Sequence, residues 1–107
     1  MLDLPPIVQR YVDASTAHDL EAILACFSEH ARVRDERETR RGRQAIAKWI
    51  AKTVEQYKFH YTPLWVAHHE SEVILEIEVS GTFAGSPVTL DYWFSIKDGA
   101  IASLTIS

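Results

Sequence analysis

Val88-Thr89-Leu90-Asp91-Tyr92-Trp93-Phe94-Ser95-Ile96 is the most hydrophobic stretch of the chain, yet a carboxylate stands in the middle of it. Read with period two, Leu90, Tyr92, Phe94 and Ile96 fall on one face and Thr89, Asp91, Trp93 and Ser95 on the other. Both faces are too apolar for water, so the stretch reads as a strand covered on both sides. Asp91 then lies beside Trp93 in a mostly apolar place, where an ionised carboxylate is costly. An acid in that setting is expected to belong to a pocket, and its partners must come from elsewhere in the chain.

Working outward, Ala84-Gly85-Ser86-Pro87 turns the chain into this strand. The segment before it, Glu72 to Phe83, alternates cleanly, with Val73, Leu75, Ile77 and Val79 against Ile74, Glu76, Glu78 and Ser80. Phe59 to His69 reads as another strand, where Pro63 implies a bulge or an edge position. On the far side, Asp98-Gly99 is a hairpin signal, and Ala100 to Ile106 forms the last strand.

The period becomes helical upstream of Lys58. Pro5-Pro6 suits a helix start, and Ile7, Val8, Tyr11, Val12 and Ser15 then define a first helix over about 5–17. Asp19 is an N-cap for a second helix, with Leu20, Ile23, Leu24 and Phe27 on one face and an end near Ser28. A short strand from Ala31 to about Asp35 follows, then a charged connection from Glu36 to Arg41 that ends at Gly42. The third helix, roughly 43–57, carries Ile46, Trp49, Ile50, Val54 and Tyr57 at helical spacing.

The expected order is α-α-β-α-β-β-β-β, an α+β fold in which a curved, mainly antiparallel sheet wraps three helices. Residues 1–107 read as one domain, without repeats or linkers. Because Leu90, Tyr92, Phe94 and Ile96 point away from Asp91, they are expected to face away from the helices. That leaves an apolar patch that a second copy of the chain would cover, as a homodimer through the outer sheet face.

Composition narrows the function classes. The chain has 107 residues, 47% hydrophobic and 24% charged, enough for a core without staples. A net charge of −4 argues against nucleic acid as a general partner. No apolar run approaches the roughly 20 residues needed to span a bilayer. The start MLDLPP does not read as a signal peptide, and the lone Cys26 suggests a reducing compartment, so the cytoplasm is the expected location. Cys26 itself reads as a buried thiol. No histidine has ligand spacing to another metal-binding residue, so neither metal nor cofactor is expected.

Two readings stand for each candidate side chain. Asp35 ends its strand on the same face as Val33, either as a general base in a pocket or as a turn residue paired with Arg34, Arg37 or Arg40. Tyr11 is either a hydrogen-bond donor into a cavity or a core tyrosine. His60 reaches the pocket or lies at its rim. The arginines at 32, 34, 37, 40, 41 and 43 form a solvated, salt-bridged loop or an anchor for an anionic ligand.

Ile7-Val8-Gln9-Arg10-Tyr11-Val12, His18-Asp19-Leu20-Glu21-Ala22-Ile23, Phe27, Ala31-Arg32-Val33-Arg34-Asp35 and Gly42-Arg43-Gln44-Ala45-Ile46 resemble the bacterial Δ5-3-ketosteroid isomerases, within the NTF2-like (SnoaL-like) superfamily of cone-shaped α+β folds. The resemblance implies a cofactor-independent isomerase that moves a proton within an apolar enolisable ketone through a dienolate. Asp35 would be the base, with Tyr11 and a protonated Asp91 as oxyanion donors. Trp49, Ile77, Val79, Phe83 and Trp93 would line a cavity for a small apolar, steroid-like or polyketide-like ligand. Two alternatives within the superfamily are a SnoaL-like polyketide cyclase or dehydratase and a non-catalytic ligand-binding module. The chain departs from the isomerases after Asp35, where Glu36 and Arg37 replace the usual proline and the connection is shorter.

Overall fold

Prolines open the first helix because their missing N–H is harmless there. Pro5 stands at the N-cap and α1 runs Pro6–Thr16, burying Ile7, Val8, Tyr11, Val12, Ala14 and Ser15. Asp19 caps α2 (Leu20–Ala25) by accepting from the Ala22 amide at 3.1 Å. The computed structural model describes residues 2–57 and 59–107, with residues 56 and 57 described by backbone alone. The third helix reaches Tyr57 as expected, while the face expected for the Tyr57 side chain and the place of Lys58 at the change of period lie outside what is described.

The strands are β1 (Phe27–Asp35), β2 (Glu38–Arg41), β3 (His60–His69), β4 (Glu72–Ser80), β5 (Val88–Lys97) and β6 (Ala100–Ile106), with α3 (Gly42–Tyr57) between β2 and β3. They form one sheet in the order β2-β1-β6-β5-β4-β3. Every neighbouring pair is antiparallel except β1 with β6. The α+β expectation holds, with differences of element. Phe27 begins a strand rather than closing a helix face, and Leu20 is 40% exposed. Ladder irregularity between Phe27 and Arg32 interrupts the alternation over Ser28-Glu29-His30, which hides the start of β1.

The stretch expected to be a charged connection contains β2, so the sheet has six strands and the order is α-α-β-β-α-β-β-β-β. Asp35 is paired with Glu38, leaving Glu36 and Arg37 as a two-residue hairpin turn, both with positive φ (54° and 65°). Asp98 and Gly99 adopt the same two-positive-φ turn (53° and 76°) between β5 and β6. Asn or Asp followed by Gly advertises such a turn, whereas Glu-Arg does not.

The face assignment of β5 is the reverse of the expected one. Leu90 lies opposite Ile77, Tyr92 opposite Leu75, and Phe94 opposite Val73. Residues opposed across a ladder share a face, and Val73, Leu75, Ile77 and Val79 are all buried. Tyr92 and Phe94 therefore point into the core, where the Tyr11 ring meets them at centroid distances of 6.4 and 5.4 Å. Asp91 is opposed to Glu76, and Trp93 to Ile74, on the outer face. Trp93 is 40% exposed and Trp65 is 52% exposed. Among the described residues no helix is long and apolar enough to cross a membrane.

Two non-glycine residues in the left-handed region cost stability at the β1–β2 turn. Replacing Glu36-Arg37 by Asn-Gly is expected to raise stability by about 1 kcal/mol, a rise in Tm of about 4–8 °C for a domain of this size. Thermal unfolding followed by circular dichroism checks it.

Candidate functional site

Between the helices and the inner sheet face lies a cavity of about 270 Å³. Its lining comes from five sources: Tyr11, Ser15 and Ile23 from α1 and α2; Asp35 and Glu36 from the β1 turn; Trp49, Ile50, Thr53 and Val54 from α3; Phe59 and Tyr61 around the start of β3; and Val79, Phe83, Val88, Leu90, Tyr92 and Ile106 from the last three strands and the β4–β5 connection. The long α3 presents Trp49, Thr53 and neighbours because its apolar stripe, Ile46, Trp49 and Ile50, is held against the sheet.

Of the sequence-predicted residues, Tyr11, Asp35, Trp49, Val79 and Phe83 meet at this cavity. Ile77 is buried within the core and does not line it. Asp91 and Trp93 are on the other side of the sheet, so the place expected for Asp91 inside the pocket has to be corrected. Its neighbours across the ladder and along the strand show the reason: the pleat sends Leu90 and Tyr92 inward and Asp91 outward beside Glu76. Its backbone N–H and C=O pair with Ser107, each at 3.0 Å. None of the histidines lines the cavity; His60 is exposed, and His18 Nε2 lies 2.7 Å from the Phe59 carbonyl.

Asp35 is held from two directions. Trp49 Nε1–H donates to Asp35 Oδ2 at 3.1 Å, fixing the carboxylate at the cavity wall. Arg40 donates to the Asp35 main-chain carbonyl at 2.7 Å and pairs with Glu38 at 3.2 Å. The arginine expected beside Asp35 thus secures the strand end rather than bridging the carboxylate.

Three phenols face the same space. Tyr11 is 4% exposed and Tyr92 is 5% exposed. Burial raises the Tyr11 phenol well above its ordinary value; Tyr61 and Asp35 add to this, and a hydrogen bond with Ser15 opposes it. Tyr92 is raised likewise, by burial first and then by Tyr11, Tyr61 and Asp35. Tyr61 is raised by burial and by Asp35. At neutral pH all three are therefore uncharged O–H donors facing a carboxylate across an apolar space. Such donors suit an oxygen that gains negative charge, while a carboxylate suits a proton acceptor.

Tyr61 and Tyr92 were not reached from the sequence. Pairing provides the missing signal: Tyr61 lies opposite Val79, and Tyr92 opposite Leu75, both on the buried row of β4. Glu36 entered the lining through the unadvertised turn.

The family model for the SnoaL-like domain matches residues 8–104. A candidate polyketide cyclase from Sinorhizobium meliloti, solved by crystallography, is 39% identical, with a TM-score of 0.95 over 98% of this chain and 96% of that one. A protein of ketosteroid isomerase-like fold from Catenulispora acidiphila, solved in complex with trimethylamine, is 21% identical, with a TM-score of 0.85 over 98% and 86% of the two chains. SalBIII, an epoxide hydrolase/cyclase-like enzyme of pyran ring formation in polyether salinomycin, is 21% identical, with a TM-score of 0.83 over 94% and 85%. The last two likenesses concern the fold alone. A search of curated proteins returned no match.

The buried phenols set a pH dependence. Above about pH 10 tyrosines of the unfolded chain ionise while these stay protonated, so the unfolded state holds fewer protons and stability falls as pH rises. Below that pH their contribution is fully present. Tyr92→Phe is expected to flatten the decline by on the order of 1 kcal/mol per pH unit, read from urea unfolding from about pH 8 to about pH 11.5, a range that brackets ordinary tyrosine ionisation. An unchanged slope would contradict a neutral, buried Tyr92.

Proposed function

Because the chain belongs to the SnoaL-like domain family, and because a carboxylate and three neutral phenols face one apolar cavity, we propose that it catalyses cofactor-independent proton transfer at carbon on a small apolar, enolisable ketone. The observation that carries this reading is the shared cavity of Asp35, Tyr11 and Tyr92. Asp35 takes the proton from the carbon next to the carbonyl. The electron pair left behind moves onto the carbonyl oxygen, which Tyr11 and Tyr92 stabilise by donating their hydroxyl hydrogens. Tyr92 fills the role that the resemblance assigned to Asp91. Isomerisation of the ketosteroid-isomerase type is completed when Asp35 returns the proton two carbons along the conjugated dienolate.

Trp49 supports the base by holding one carboxylate oxygen, Oδ2, at the cavity wall. At about 270 Å³ the cavity lies at the small end for ligand sites, which favours one- or two-ring substrates over a four-ring steroid.

A second reading has its own support. The 39% identical Sinorhizobium relative is described as a candidate polyketide cyclase. Aldol cyclisation begins with the same enolisation, after which the carbanion attacks a second carbonyl of the same substrate instead of being reprotonated. A homodimer through the outer sheet face is also proposed. Trp65, Ile74 and Trp93 support it in place of the inward-facing row of β5.

Two measurements check these proposals. With a bicyclic β,γ-unsaturated ketone, the absorbance rise on conjugation and deuterium uptake in heavy water are expected from the wild type. Asp35→Asn should lose about 10²-fold or more, Tyr92→Phe about tenfold or more, and Asp91→Asn little. Neither conjugation nor exchange by the wild type would remove the enolisation reading, and a large loss in Asp91→Asn would overturn the role given to Tyr92. In sedimentation equilibrium, a dimer that Trp65→Glu with Trp93→Glu converts to monomer is expected.

A further inference from the structure

The charge of the cavity wall has a consequence that enolisation leaves unused. Asp35 and Glu36 both line the cavity, while no lysine, arginine or histidine is among its described lining residues. Six aromatic rings stand in the remaining wall, Tyr11, Trp49, Phe59, Tyr61, Phe83 and Tyr92, among aliphatic side chains. These rings do not stack into one flat surface. Phe59 meets Phe83 at 84° and 5.3 Å, and Tyr61 at 80° and 6.0 Å, while Tyr11 and Tyr92 are tilted by 55° at 6.4 Å. Rings set at steep angles build corners, and a corner offers more than one π-face or edge to an occupant.

We propose that this cavity is a binding site for small methylated ammonium ions. A methylated ammonium spreads its charge over methyl groups, enters an apolar space at less cost than a primary ammonium, and is attracted by aromatic faces. Asp35, a lining residue whose Oδ2 is held by Trp49 Nε1–H, is its counter-ion within the wall. Glu36, beside the turn, adds negative potential on the same side. An anion of the same shape would face the Asp35 and Glu36 carboxylates, so the proposal includes discrimination by charge as well as by shape. The proposal does not rest on turnover, because the ligand has no acidic carbon next to a carbonyl.

The test compares three ligands of nearly equal shape: choline, its neutral isostere 3,3-dimethylbutan-1-ol, and the anion 3,3-dimethylbutanoate. Binding is followed by titration calorimetry and by Trp49 side-chain NMR. Choline is expected to bind about tenfold or more tightly than the alcohol, with the carboxylate weakest. Asp35→Asn should reduce the preference for choline over the alcohol. If that variant does not fold, Glu36→Gln should reduce the preference in the same direction. Equal binding of choline and alcohol, tighter binding of the anion, or no binding of choline would each overturn the proposal. A preference undiminished by both carboxylate substitutions would overturn it too. Failure of enolisation with a neutral ketone leaves these results unaffected, so the two readings fall separately.

Discussion

The register between β4 and β5 is the constraint on which the rest of the molecule depends. Opposed residues of an antiparallel ladder share a face, so Val73, Leu75 and Ile77 bring Phe94, Tyr92 and Leu90 to their own side. That side holds the core, with Tyr11 packed against Phe94 and Tyr92. A slip of one residue would send Asp91 and Trp93 inward and turn Tyr92 and Phe94 out. The same register that fills the core therefore decides which hydroxyls and carboxylates face the cavity.

Much of the fold was legible because local rules and tertiary structure agree. Proline at a helix start, Asp19 as a cap, the alternation of β4 and the Asp98-Gly99 turn each lead to the observed element. Two elements were hidden where a local signal was lacking. Glu36-Arg37 adopts a turn usually marked by glycine, and the irregular pairing after Phe27 breaks the alternation of β1. The site was half legible. Helical spacing and strand parity put Tyr11 and Asp35 on inward faces but left two readings for each, and the family resemblance is what singled them out. Tyr92 could not be found, since both faces of β5 are apolar and parity alone leaves inside and outside undetermined. Only the pairing with β4 breaks that symmetry.

The cavity sets groups of opposite preference side by side. Burial keeps Tyr11 and Tyr92 protonated, and the Asp35 carboxylate pushes in the same direction. Asp35 meets a different environment, at a strand end with an indole N–H on one oxygen and an arginine securing its main chain. Separating the groups in this way yields an acceptor and several donors around one space. The strained turn next to Asp35 is part of that arrangement, because it ends β1 at the cavity and starts the strand that supplies Arg40.

The parallel pairing of β1 with β6 shapes how the chain reaches this state. β6 sits between β1 and β5, joining the β2–β1 hairpin to the β3–β4–β5 meander. During synthesis the helices and both strand groups emerge before the strand that unites them. Phe27 and Val33 must wait for Ile101 and Leu104, their ladder partners. Such long-range pairing closes slowly relative to local contacts. Until β6 has left the ribosome, the facing edges of β1 and β5 stay unpaired, and this nascent chain is the form most exposed to association with other chains.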